Sequence, residues 1–170
     1  NVDGFDFSKC TKLSSIGSIT FANCKKITEM NLPASLKTIK GDAFDNCPEL
    51  TKLTVHPDNK SLKSKNNIIY TYDETQALCC TRTIPSVDFP PSLTQIADGA
   101  FKYCKRLKEL KLPDNVETLG FQTFYGCTGI MGTVHLPKNL KTMGNSAFSW
   151  CNNVDGFDFS KCTKLSSIGS

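Results

Sequence analysis

The feature that most constrains the fold of this chain is a short sequence unit that recurs along its whole length. In the copy at residues 107–127, apolar residues and a closing cysteine stand at fixed offsets, namely Leu107, Leu110, Leu112, Val116, Leu119, Phe124 and Cys127. The alternation at 110–112 is typical of a short strand with one inward face, and Pro113 ends that strand because it lacks a backbone donor. One unit cannot bury its own apolar face, so the recurrence predicts a stacked array with a shared core.

Cysteines mark the repeat, because six of them occupy the same position of successive units. Their spacing is 23 or 24 residues, except for 33 residues between Cys47 and Cys80. Free cysteine is among the most buried residue types, so we predict a ladder of thiols in the core. A reduced ladder is favoured, although strands about 5 Å apart also lie within reach of a disulfide. The ladder comprises Cys24, Cys47, Cys80, Cys104, Cys127 and Cys151.

Three further thiols lie off this ladder. Neighbouring strand residues face opposite sides, so Cys79 should point away from Cys80. Cys10 and its copy Cys162 fall in a longer turn, and Cys10 is the thiol expected to be most exposed, either as a reactive group or as an idle surface thiol.

The sequence also carries a longer repeat, because residues 153–170 are identical to residues 1–18. We interpret residues 1–170 as a single solenoid domain taken from a longer tandem array, or from a chain designed to imitate one. Both terminal faces would then expose core positions, so end-to-end self-association is a hazard.

Composition and motifs exclude several functional classes. The net charge of +4 is spread along the chain, the lysines of residues 60–65 are interpreted as a solvated loop, and no nucleic-acid-binding pattern occurs. No closely spaced cysteine pair of the zinc-binding type and no apolar run near ~20 residues occurs, so no metal, cofactor or membrane span is expected. His56 and His135 belong to no catalytic motif, and the chain is therefore predicted not to be an enzyme.

Near-complete copies of one pattern carry a family resemblance. ITEMNLPASLKTIKGDAFDNC, VDFPPSLTQIADGAFKYC, LKELKLPDNVETLGFQTFYGC and TVHLPKNLKTMGNSAFSWC resemble the BspA-like leucine-rich repeat, also called the Treponema pallidum type. The resemblance implies an α/β solenoid with a concave parallel β-sheet and short helical or irregular convex segments. It also implies a β-hairpin inserted at about residues 57–83, with strands at 68–72 and 77–81.

The resemblance further implies an extracellular protein displayed on a cell surface, of the kind associated with adhesion. The expected partner is a protein or glycan on host matrix or cells, and the alternative is a self-assembling scaffold of stacked repeats. If a eukaryote secretes the chain, Asn59 begins a glycosylation sequon. Strand alternation places the outward residues of the concave sheet, which form the predicted binding face, at Asp6, Glu29, Asn31, Lys52, Thr54, Ser86, Asp88, Glu109, Lys111, Thr133, His135 and Asp158.

Overall fold

The computed structural model describes residues 4–7 and 9–170. Within them the chain winds as a β-solenoid of short strands. In chain order the strands are β1 (Gly4–Phe5), β2 (Ser15–Ile16), β3 (Glu29–Leu32), β4 (Thr38–Ile39), β5 (Lys52–Val55), β6 (Leu62–Lys65), β7 (Ile68–Thr71), β8 (Gln76–Cys80), β9 (Gln95–Ile96), β10 (Thr118–Leu119), β11 (Gly132–His135), β12 (Thr142–Met143), β13 (Val154–Asp158) and β14 (Ser167–Ile168).

The longer strands form the parallel sheet that the sequence predicts, but the sheet is divided. Strands β1, β3 and β5 pair in parallel at one end of the solenoid, and β11 pairs with β13 in parallel at the other. Residues 86–89 and 108–112, where the repeat places two further strands, have no strand assignment. The parallel sheet that the sequence predicts is therefore interrupted between β5 and β11.

Side chains of the inserted hairpin explain why the sheet stops at β5. The amide of Leu53 donates to Asn67 Oδ1 at 3.1 Å, and the amide of Val55 donates to Ser64 Oγ at 3.1 Å. These donors would otherwise pair with the next strand of the ladder. The edge of β5 is thus closed by side chains instead of by another main chain.

Short strands form a second sheet, which is parallel except where the hairpin joins it. The order is β14-β12-β10-β9-β8-β7-β6, with β7 and β8 antiparallel as in the predicted hairpin. Strand β6 adds a third antiparallel strand that the sequence did not indicate. The last strand of the insertion, β8, then pairs in parallel with β9 and returns the chain to the repeat.

The hairpin separates two apolar cores. Ile69 and Cys79 belong to the N-terminal core, whereas Ile68, Tyr70 and Cys80 belong to the C-terminal core. Neighbouring residues of a strand point to opposite sides, so β7 and β8 bury both of their faces. The insertion acts as a partition inside the solenoid.

The predicted helical convex segments are wrong, because the described residues contain no helix. In the turn before Cys127, Gln122 and Gly126 have φ values of 51° and 68°, which interrupt a right-handed helix. The amides of Gln122, Phe124 and Gly126 donate to carbonyl oxygens of the following turn at 3.0, 2.8 and 2.8 Å. Because these amides bond between turns, the convex side is irregular and the α/β class does not apply.

Candidate functional site

We call the outward side chains along β1, β3, β5, β11 and β13, together with those of residues 86–89 and 108–112, the strand face. At its N-terminal end, Glu29 lies opposite Lys52 and Asn31 opposite Thr54. Lys52 Nζ lies 2.9 Å from Glu29 Oε2, and Thr54 Oγ1 donates to Asn31 Oδ1 at 3.1 Å. Parallel register therefore brings four of the predicted residues together as cross-strand pairs.

Residues Phe5 and Asp6 extend this end of the strand face into an open groove. The groove has a volume of about 1020 Å³ and crosses β1, β3 and β5. Its lining combines the apolar side chain of Phe5 with the polar residues Asp6, Glu29 and Lys52. Such a surface can contact an extended ligand over several strands at once.

The middle of the strand face lies outside any strand. Ser86, Asp88, Glu109 and Lys111 are all exposed. Lys111 Nζ lies 2.8 Å from Glu109 Oε1 of the same segment, and this hydrogen bond, with the charge of Glu109, raises the pKa of Lys111. The division of the sheet thus leaves the central part of the predicted face on irregular backbone.

At the C-terminal end the strand face is again ordered by strand pairing. Thr133 is exposed, and His135 lies opposite Asp158, with Nδ1 2.8 Å from Asp158 Oδ2. Hydrogen bonds to the Asp158 carboxylate lower its pKa to about 2. Those from the hydroxyl and amide of Ser160 have the largest effects, and the one from His135 adds to them. Asp158 therefore stays ionised through the acidic range, where it can hold the ring of His135 in place.

Replacing Ser160 with alanine should raise the pKa of Asp158, because the largest hydrogen bond to the carboxylate is removed. A depressed folded pKa stabilises the native state above the unfolded value of about 3.9 and loses that contribution as the pH falls towards the folded value. The native protein should show this loss between about pH 4 and pH 2. NMR titration of the Asp158 carboxyl carbon in both proteins measures the shift, and an unchanged midpoint would contradict it.

The partition divides the cysteine ladder. Cys24 is half-buried and Cys47 is buried with the N-terminal core, whereas Cys80, Cys104, Cys127 and Cys151 are buried with the C-terminal core. All nine cysteines of the chain are free thiols, and the Sγ atoms of Cys80 and Cys104 lie 3.3 Å apart. Burial raises the pKa of Cys151 to about 11 and that of Cys79 to about 12, so these thiols stay protonated and unreactive.

Iodoacetamide should label Cys10 fastest in the folded protein, because Cys10 is exposed whereas its sequence copy Cys162 is only partly exposed. Cys162 also donates to the carbonyl of Pro137 at 3.4 Å, and burial raises its pKa. Since the two flanking sequences are identical, labelling rates of the Cys10→Ser and Cys162→Ser variants compare only their surroundings. Equal rates would contradict the expectation.

A buried ionic network that the sequence analysis missed connects the two cores. The Arg82 side chain donates through Nη2 to Gly41 O at 2.8 Å and to Asp45 Oδ1 at 2.9 Å, and through Nη1 to Ala100 O at 2.9 Å. Lys102 Nζ adds a contact to Asp45 Oδ2 at 3.3 Å. The sequence does contain a signal for this network. Asp45 and Lys102 each stand two residues before a core cysteine, one ahead of the insertion and one after it.

Asn59 also has a structural role, because its buried side chain is hydrogen-bonded to the backbone. It occupies the position that Leu36 has in the preceding unit and is only 1% exposed. Its Nδ2 donates to the carbonyl oxygens of Pro33 and Leu36 at 2.9 and 2.8 Å, and its Oδ1 accepts from the amides of Ser61 and Leu62. A glycan on this nitrogen would require the folded turn to open, so the sequon is closed in the native chain.

The described residues lack two other kinds of site. They contain no group of three or more histidine, cysteine or acidic side chains placed to hold a metal ion. No helix that could cross a membrane occurs in this part of the chain.

The repeat geometry agrees with a comparison against protein families. Residues 3–74 and 71–170 match the BspA type leucine rich repeat region, in six copies. The chain belongs to this family. A search of curated proteins finds no match.

Solved leucine-rich repeat structures share the fold of this BspA-type chain. A leucine-rich repeat protein from Eubacterium ventriosum is 22% identical with a TM-score of 0.68, covering 92% of this chain and 52% of its own. A leucine rich cell surface protein from Faecalibacterium prausnitzii is 18% identical with a TM-score of 0.62, covering 96% and 61%. The pneumococcal vaccine antigen PcpA is 22% identical with a TM-score of 0.57, covering 92% and 48%. The chain thus spans between 48% and 61% of the length of these three structures.

Proposed function

We propose that this chain is a non-catalytic binding module of an extracellular cell-surface protein. It binds a protein or glycan on host matrix or on other cells through the strand face. The observation that carries the proposal is the pair of cross-strand polar contacts at the two ends of this face, Glu29 with Lys52 and His135 with Asp158. Membership of the BspA-type family and the cell-surface description of one structural neighbour support the proposed location.

The chemistry of the strand face predicts how such binding behaves. Most of its charges are paired with opposite charges and remain exposed, so each contact with a ligand contributes little and is screened by salt. The face lacks tryptophan and arginine, which dominate tight interfaces. Affinity then depends on many units engaging the same ligand, so it should rise steeply with the number of linked arrays.

The test measures binding of the chain, and of two copies joined in tandem, to immobilised matrix proteins and to cells over a salt series. Saturable binding that weakens with salt and strengthens in the tandem form is expected. The Glu29→Gln/Lys52→Gln variant should bind about threefold more weakly per array. Its control is Glu117→Gln/Lys141→Gln, which removes an exposed pair 2.6 Å apart beside the second sheet. Equal binding by the two variants, or none by the native chain, would refute the strand face as the site.

A second candidate function, a scaffold built by end-to-end association, is favoured by the identity of residues 153–170 with residues 1–18. Ile16 is 4% exposed where β4 lies beside β2, whereas its sequence copy Ile168 in edge strand β14 is 55% exposed. A second copy of the chain docked on β14 would bury Ile168 in the same way. Sedimentation velocity should then show association that rises with concentration and is lost in Ile168→Lys, whereas a monomer at all concentrations would exclude the scaffold.

A further inference from the structure

A cleft opens beside the inserted hairpin, away from the strand face. Its volume is about 490 Å³, within the size range of small-molecule sites. The cationic residues Arg82, Lys105 and Arg106 line it, and none of the described residues lining it is acidic. Arg82 and Arg106 are the two arginines of the whole sequence, and each stands two residues after a core cysteine. Both arginines of the chain are therefore concentrated at one cavity.

The positive charge at the rim of the cleft is not neutralised by the protein. Lys105 and Arg106 are exposed, and neither has an ion-pair partner among the residues that the structure describes. Asp45, the nearest acidic group of the network, is already held by Arg82 and Lys102. Unpaired cations around a concave surface attract anions and favour bidentate binding of an oxyanion by arginine.

The remaining lining favours a sugar ring as the carrier of the anion. Tyr103 is 38% exposed at the cleft and presents an aromatic surface beside Pro48, which suits the apolar C–H face of a pyranose. Asn46 and Thr83 also line the cleft, but Asn46 Nδ2 already donates to Asn23 Oδ1 at 2.6 Å and Thr83 Oγ1 to Leu50 O at 3.2 Å. Recognition of the sugar ring therefore falls to Tyr103.

We propose that this cleft binds the carboxylate or sulfate group of an acidic glycan. Lys105 and Arg106 pair with the anionic group at the rim, and Tyr103 packs against the sugar ring. This site is separate from the strand face and does not depend on the function proposed for that face.

Isothermal titration calorimetry on the full chain tests the site with five probes: sialyllactose, a sulfated heparin-type tetrasaccharide, neutral lactose, a glutamate-rich peptide of matched charge, and inorganic sulfate. We expect both acidic saccharides to bind and lactose not to bind. The peptide should bind about tenfold more weakly than the saccharide of equal charge. Tyr103→Ala should weaken saccharide binding while leaving sulfate binding unchanged, because only the sugar ring contacts the aromatic side chain.

A matched pair of variants separates the site from general charge attraction. Lys105→Glu/Arg106→Glu should reduce saccharide affinity at least about tenfold. Lys25→Glu/Lys26→Glu makes the same change in net charge at the same two positions after Cys24 and should alter affinity less than about twofold. Equal losses in both variants, lactose binding, or equal affinity for the peptide would overturn the proposal. Since all four residues are exposed, unchanged thermal unfolding of both variants verifies that each is folded.

Discussion

Replacement of Arg82 with methionine is expected to lower the free energy of unfolding by about 3–5 kcal/mol, the range for removing one partner of a buried ion pair. The substitution leaves the carboxylate of Asp45, which is 13% exposed at its side chain, with only Lys102. It also removes the donors to Gly41 O and Ala100 O. Gly41 precedes the hairpin and Ala100 follows it, so the lost contacts are those that join the two halves of the solenoid.

Urea denaturation followed by circular dichroism measures this loss. Arg106→Met is the matched control, because it removes the other arginine from an exposed position and should change the free energy of unfolding by no more than about 0.5 kcal/mol. Combining Arg82→Met with Asp45→Asn should cost less than the sum of the single changes, since both variants break one network. Equal destabilisation by Arg82→Met and Arg106→Met would mean that the network does not hold the halves together.

The regular part of the fold could be predicted because each apolar offset of the repeat has one geometric role. Leu36, Leu93, Val116 and Leu140 stand at the same place in their units, and all are 0% exposed. Asn59 shows where this reasoning fails. It fills the same place with a polar side chain whose four hydrogen bonds replace apolar packing, and no apolar pattern indicates such a substitution.

The sequence predicts where the repeat is interrupted, but not how the insertion ends the parallel sheet at β5. The long spacing from Cys47 to Cys80 predicts an insertion, and β7 and β8 are its expected strands. Ser64 and Asn67 close the edge of β5 through side-chain contacts between segments. Strand alternation does not encode such contacts. The same limit applies to the candidate site, since strand alternation places Ser86 and Glu109 on strands of the sheet, whereas the structure has no strand at either residue.

The helical expectation failed for a local reason. Residues 121–126 contain no proline and could form a helical turn by composition alone. Their amides instead alternate between the next turn and short-range acceptors, as when Tyr125 donates to Gln122 O at 3.2 Å and Phe124 donates to the next turn at 2.8 Å. Stacking therefore overrides local propensity, because inter-turn bonds satisfy these groups throughout the array.

Replacement of Phe124 with alanine is expected to cost about 3–5 kcal/mol of unfolding free energy. Phe124 is 0% exposed and is the middle ring of a stack, with centroids 5.3 Å from Phe101 and 5.1 Å from Phe148. Truncation leaves a cavity bounded by two aromatic neighbours that are fixed in separate turns, so the surrounding structure can collapse only partly.

The matched control is Phe121→Ala in the same turn, because Phe121 is 49% exposed and its removal leaves no enclosed cavity. It should change the free energy of unfolding by about 0.5 kcal/mol or less. Both variants are compared with the native chain by urea denaturation at constant m-value. A small effect of Phe124→Ala would mean that adjacent turns can approach each other to fill the space. A loss confined to Phe124→Ala would instead mean that spacing between turns is fixed by the inter-turn hydrogen bonds, and that the aromatic stack fills a gap of predetermined width.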